Sequence, residues 1–173
     1  MPTIGVAIAV PDPYATQLRE QRESFGDCQA RSIPSHITLV PPTTVDPAVL
    51  DVLEGHLAAV AGRHGPFDVR LRGTGTFRPV SSVVFVTVAA GISECELLAQ
   101  DVRTGPLAVP LEFPYHPHVT VAHDIDDDGL DRAFDALVTY ECRFAVDAFV
   151  LFEHDAEVGW SRRRAFTLVG ASS

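Results

Sequence analysis

The sequence predicts an α+β fold of two similar lobes around a central cleft, and three observations predict it. Strand-like and helix-like stretches alternate along the chain; the order strand, helix, strand, helix, strand occurs twice; and the first strands of the two series, Ile4–Val10 and Val83–Val88, are offset by about 79 residues. At 173 residues and 18.7 kDa the chain can bury one good core but is short for two independently stable domains. A single two-lobed domain over 1–173 is therefore expected, with repeat halves roughly 1–78 and 79–173.

Taken in order, the apolar run Ile4–Val10 opens the chain as a strand. It is too short to span a membrane, no basic residue precedes it, and it ends at Pro11-Asp12-Pro13, so it is not a signal peptide. Asp12-Pro13 and Asp46-Pro47 each put a capping carboxylate before a proline suited to the first helical position. The helices that follow place Tyr14, Leu18 and Phe25 on one stripe and Leu50, Leu53, Leu57 and Val60 on another. A third helix, Ile92–Thr104, carries Ile92, Cys95, Ala99 and Val102, and a fourth, from about Asp128 to Tyr140, carries Leu130, Phe134 and Leu137. Between them the β-branched and aromatic runs Ser35–Val40, Phe67–Leu71, Val83–Val88, His118–Ala122, Arg143–Phe152 and Arg164–Val169 read as strands. In each lobe helices cover the outer face of a small antiparallel sheet, and the other face turns to the cleft.

Composition narrows the function. Hydrophobic residues make up 46% and charged residues 21%, with a mean hydropathy of +0.14, which excludes disordered, collagen-like and coiled-coil chains. The net charge of −10 repels polyanions on average and argues against duplex DNA as the main partner, while a local pocket can still hold a small or terminal phosphate. Cys28, Cys95 and Cys142 are odd in number and show no CxxC spacing, so neither a disulfide framework nor a structural zinc site is indicated and a reducing cytoplasm fits best.

The chemistry lies in a repeated tripeptide. His36-Ile37-Thr38 and His118-Val119-Thr120 are 82 positions apart, close to the offset of the first strands. With seven histidines in the chain one His-x-Thr carries no information, but two at equivalent points of an internal repeat do. In a strand His36 and Thr38 share one face while Ile37 and Leu39 take the other, and His118 and Thr120 do the same against Val119 and Val121. The apolar residues belong under the helices, which leaves two imidazoles and two hydroxyls to converge in the cleft. That set suits phosphodiester hydrolysis without a metal or other cofactor. One imidazole takes a proton from water, the other gives one to the departing ribose oxygen, and the threonines donate to the non-bridging oxygens.

The segments Ser35-His36-Ile37-Thr38-Leu39 and Tyr115-His116-Pro117-His118-Val119-Thr120-Val121-Ala122 resemble the two-histidine (2H) phosphoesterase superfamily, which includes 2'-5' RNA ligase-like proteins and cyclic nucleotide phosphodiesterases. The repeat extends the resemblance over nearly the whole chain, with Trp160–Leu168 as a closing strand. The resemblance implies a bilobal fold with a pseudo-twofold axis and metal-independent catalysis, with His36 and His118 as acid and base and Thr38 and Thr120 binding phosphate. It implies hydrolysis of 2',3'-cyclic phosphate or 2'-5' linkages in small nucleotides or RNA 3'-ends, with 2'-5' ligation as the reverse; separately, a monomer with no membrane partner is expected. Many relatives have Arg where this chain has His123, which weakens a positive phosphate contact or makes it pH-dependent.

Other residues have two readings. Arg31 and Arg78 are candidates for the positive charge of a phosphate pocket. Phe77 and Tyr115 either stack on a base at the cleft mouth or belong to the core. Arg162-Arg163-Arg164 reads as a solvated strand edge ahead of an RNA patch, and Asp124–Asp128 as a helix cap ahead of a calcium loop. His116 reads as a surface histidine beside the cleft. The rival chemistry is a metal-dependent hydrolase using His116, His118 and His123, although Pro117 interrupts the strand and no carboxylate completes the shell. A non-catalytic module that binds nucleotides or RNA ends is the other alternative.

Overall fold

The computed structural model describes residues 1–170; the last three residues of the second expected half, 171–173, lie outside them. The strands are β1 (Thr3–Ala9), β2 (His36–Thr44), β3 (Phe67–Thr76), β4 (Val83–Ala90), β5 (His118–His123), β6 (Glu141–Val146), β7 (Ala148–Asp155) and β8 (Gly159–Thr167). The α-helices are α1 (Tyr14–Ser24), α2 (Leu50–Ala61), α3 (Ile92–Val102) and α4 (Asp127–Ala136), with short 3-10 turns at Pro47–Val49 and Gly105–Leu107. Two four-stranded antiparallel sheets result, in the orders β2-β1-β7-β8 and β5-β4-β3-β6.

The alternation of apolar residues dictates which face each strand buries. Ile4, Val6 and Ile8 of β1, Ile37 and Leu39 of β2, Val84 and Val86 of β4, and Val119 and Val121 of β5 are at most 1% exposed and share one core with the helices. Leu53, Leu57 and Val60 of α2 and Cys95, Leu98, Ala99 and Val102 of α3 face that core. The helices interlock: α1, which follows β1, packs on β5, and α3, which follows β4, packs on β2. The two His-x-Thr strands are edge strands of different sheets and lie against each other at the centre of the molecule.

Several expected boundaries move, each for a local reason. The single strand expected over Arg143–Phe152 is two strands, β6 and β7, which part at Asp147 and join different sheets. β2 continues through Pro41-Pro42 to Thr44, which an edge strand tolerates because its outer side needs no N–H donors. β3 runs on to Thr76, and the last strand spans Gly159–Thr167 instead of Arg164–Val169, leaving Val169 exposed. Pro13 sits one position outside α1, yet Asp12 still caps it, accepting from the Thr16 N–H at 3.0 Å and hydroxyl at 2.7 Å. Asp46 accepts from the Ala48 N–H, so its proline opens the 3-10 turn ahead of α2. α3 stops at Val102 and exposes Ile92, with Leu98 buried instead, while α4 ends at Ala136 and is capped by Asp126.

The repeat halves do not coincide with the sheets. β3 leaves the first half to lie beside β4, and β7 and β8 return from the second to complete the sheet of β1 and β2. A two-stranded β1-β2 pair would be marginal alone, and this exchange gives each sheet four strands and ties the lobes together.

Candidate active site

Each His-x-Thr segment has the disposition its alternation requires. His36 and Thr38 are half-buried on the open face of the first sheet, with Ile37 and Leu39 fully buried behind them; His118 and Thr120 repeat this on the second sheet over Val119 and Val121. Across the ladder His36 faces Ala9 and Thr38 faces Ala7, small residues that keep the surface open. His118 faces Thr87 and Thr120 faces Phe85.

The same backbone contact fixes both imidazoles. His36 Nδ1 lies 2.6 Å from the Pro34 carbonyl oxygen, and His118 Nδ1 lies 2.6 Å from that of His116. A carbonyl oxygen only accepts, so in each ring Nδ1 carries the proton and Nε2 is left free. Burial pushes both imidazoles below their ordinary pKa, against the raising effect of these carbonyls. The buried Arg22 guanidinium adds to the lowering at His36, and the nearby His116 and His36 add to it at His118. Both rings are therefore shifted toward the neutral form, and a proton on His36 opposes one on His118.

Two recesses lie beside three of the four His and Thr residues, while Thr120 lines neither. The smaller, about 110 Å³, is lined by Gly5, Ala7, Ile33, Pro34, His36, Thr38, Phe152 and Trp160 among others. The larger, about 500 Å³, includes Thr38, Phe77, Leu111, Phe113, Tyr115, His116 and His118. Thr38 thus lies at their junction, with His36 opening on one side and His118 on the other.

Aromatic rings hold His118 in place. Phe77 meets it edge-on at 5.0 Å between centroids, and Phe85 lies 5.2 Å away. Phe85 can lie flat because position 75 is glycine: a Cβ there would come within 2.6 Å of its ring. Tyr115 bridges the sheets, donating its hydroxyl to the Thr38 carbonyl at 2.7 Å beneath the Arg103 guanidinium, which sits 5.1 Å from its ring centre. Phe77 therefore lines the recess beside a histidine, and Tyr115 combines a place in the wall with a structural hydrogen bond.

The other expected residues stand elsewhere. Arg31 is exposed and pairs with Glu23 at 3.2 Å, and Arg78 reaches Asp131 at 2.9 Å on α4; neither lines a recess. The His123 N–H donates to Asp27 at 3.0 Å while its ring faces Asp124 at 3.2 Å, outside both recesses. His116 is exposed at the mouth, its ring 5.9 Å from that of His118. Among the described residues no group of three His, Cys, Asp or Glu is disposed to hold a metal ion, and His116, His118 and His123 do not converge.

Sequence reasoning missed the wall of the smaller recess, Phe152 and Trp160, and the loop Leu111–Pro114 of the larger one. Trp160 is the chain's only tryptophan, and that rarity was the available signal. It also missed the buried pair Arg22–Asp27 at 2.7 Å, through which α1 holds the end of β5.

A sequence model of the 2'-5' RNA ligase superfamily matches residues 10–157. Among curated relatives, the chain is similar to a provisionally named phosphoesterase of Bacillus cytotoxicus, 28% identical over 95 residues. That match spans 55% of either chain, about half the length of this curated relative. A provisionally named phosphoesterase of Geobacillus kaustophilus is 23% identical over 168 residues, 96% of each chain. Among solved structures, a Thermus thermophilus protein superposes with a TM-score of 0.71 at 21% identity, covering 98% of this chain and 99% of that one. Escherichia coli LigT, solved in complex with 3'-AMP, superposes with a TM-score of 0.65 at 20% identity over 97% of this chain and 99% of its own. LigT has also been solved in complex with NADP+. At these identities the structures share the fold.

Proposed function

This chain belongs to the 2'-5' RNA ligase superfamily, and from that premise we propose that it is a metal-independent phosphodiesterase. Its substrates are 2',3'-cyclic phosphates or 2'-5' linkages of small nucleotides or RNA 3'-ends; 2'-5' ligation, in which a 5'-hydroxyl instead of water opens the 2',3'-cyclic phosphate by breaking its P–O3' bond, is the reverse of cleaving a 2'-5' linkage to cyclic phosphate and 5'-hydroxyl. The observation that carries the reading is the matched pair of Nδ1 contacts at His36 and His118, which leaves both Nε2 atoms free, with Thr38 shared by the recesses that the two rings line. One neutral imidazole takes the proton of an attacking water, and the other, protonated, gives its proton to the ribose oxygen as the P–O bond breaks. Thr38 and Thr120 donate to the non-bridging oxygens, where the transition state gathers charge.

The anionic substrate completes the site. Both imidazoles have lowered pKa values in the free protein, and an approaching phosphate restores the protonated form of the one that must act as acid. Nucleotide binding by LigT, in complexes with 3'-AMP and NADP+, supports a nucleotide as the ligand here. The test is hydrolysis of 2',3'-cyclic nucleotides in excess chelator by the wild type and by His36→Ala and His118→Ala. Loss of turnover in both variants is expected; turnover that survives either substitution would end the two-histidine reading, and tight binding with the ligand unchanged would make the protein a binding module.

A further inference from the structure

No Arg or Lys is among the residues lining the two recesses, and the chain carries a net charge of −10. A nucleotide with more than one phosphate needs a cation somewhere near. The open face of the second sheet provides it.

Val69 and Leu71 of β3 are fully buried beneath the helices, so Arg70 and Arg72, which alternate with them, stand on the opposite face, that of His118 and Thr120. A β-bulge holds Arg72 there. Between the pairs Leu71–Val88 and Thr74–Val86, the two residues Arg72 and Gly73 oppose the single residue Thr87, with Gly73 at a φ of +74°. Thr87 in turn faces His118. Arg72 is thus two strands from His118 on the same face, about 10 Å of backbone spacing that its long side chain can shorten. On the far side, β6 sets Arg143 opposite Arg70 and Glu141 opposite Arg72. Glu141 is taken by Arg70 at 2.8 Å, and neither Arg72 nor Arg143 has an ion-pair partner among the described residues.

The first sheet presents the opposite chemistry. Its open face is Ala7, Ala9, Val150, Phe152 and Trp160, with His154 against the Trp160 ring at 5.1 Å and Arg162 on the outer strand β8 opposite Phe152. The two walls of the cleft are related by architecture and differ in charge. An apolar wall suits a nucleoside and a cationic one suits a phosphate.

Building on the phosphodiesterase reading above, we propose that Arg72, backed by Arg143, binds a second anionic group of the substrate, a phosphate next to the linkage held between His36 and His118. The preferred substrate is then an oligonucleotide end, or a nucleotide with an additional phosphate, lying with its charged side over the second sheet. The test compares a trinucleotide ending in a 2',3'-cyclic phosphate with the mononucleoside 2',3'-cyclic phosphate, using the wild type, Arg72→Gln and Arg72→Lys. Arg72→Gln should lose kcat/KM on the trinucleotide about tenfold more than on the mononucleotide, mainly through KM; Arg72→Lys should recover part of it, and the difference should shrink as salt rises. Equal losses on the two substrates, or none, would overturn the proposal. No turnover of either substrate by the wild type would overturn the phosphodiesterase reading instead. Calorimetric binding of the same trinucleotide then decides the role of Arg72, which stands if Arg72→Gln binds more weakly and falls if it binds as tightly as the wild type.

Discussion

At the scale of the residue, the proposed mechanism makes the two imidazoles set both the rate and its pH dependence. His36→Ala and His118→Ala should each lower kcat by about 10²–10⁴, and the double variant by little more, because acid and base act as a unit. Steady-state kinetics on one cyclic nucleotide checks this. In the proposed mechanism the productive form has one ring protonated and one neutral, and both pKa values lie below the ordinary 6.5 in the free protein. The profile of kcat/KM should therefore be a bell whose falling limb starts at or below about pH 6.5, with activity declining toward alkaline pH. A plateau reaching pH 9 would contradict the assignment. The residue scale is also where the sequence was most legible: His-x-Thr in an alternating strand identifies which side chains share a face before any coordinates exist. The fate of Arg78 was not legible, because Asp131 lies 53 residues away and reaches Arg78 only after α4 packs against β3.

At the scale of the element, rings hold His118 and buried charges hold the end of β5 in place. Gly75→Ala would put a methyl group into the Phe85 ring, which lies beside His118, at a cost of about 1–3 kcal/mol and with a several-fold fall in kcat, read by thermal unfolding and kinetics together. Asp27 takes Arg22, the Gln29 N–H and the His123 N–H, so Asp27→Ala leaves a buried guanidinium unpaired and should cost about 3–5 kcal/mol in denaturant unfolding. Tyr115→Phe removes only the hydroxyl that ties the loop before β5 to β2 and should cost about 1 kcal/mol. The helices and strands themselves were readable from caps, prolines and apolar periodicity. The exchange of β3, β7 and β8 between the sheets was not, since strand pairing joins distant segments and a run such as Arg143–Phe152 has no local mark at Asp147 to show that it serves two sheets.

At the scale of the whole molecule, the fold brings two edge strands from different sheets together so that Thr38 and His118 line one recess, and this arrangement has a consequence for stability. Burial lowers both histidine pKa values in the folded state, so the unfolded chain takes up protons first as the pH falls. The contribution is fully present above the unfolded value near 6.5 and is lost as the pH falls from there through the folded values. Replacing both histidines by Gln should flatten this acid limb in urea unfolding at several pH values. The central claim concerns turnover, and one measurement tests it most directly: hydrolysis of a 2',3'-cyclic nucleotide in excess chelator by the wild type, His36→Ala and His118→Ala. Chelator-resistant turnover by the wild type, lost in both variants, is the predicted result, and chelator-resistant turnover that persists in either variant would contradict it.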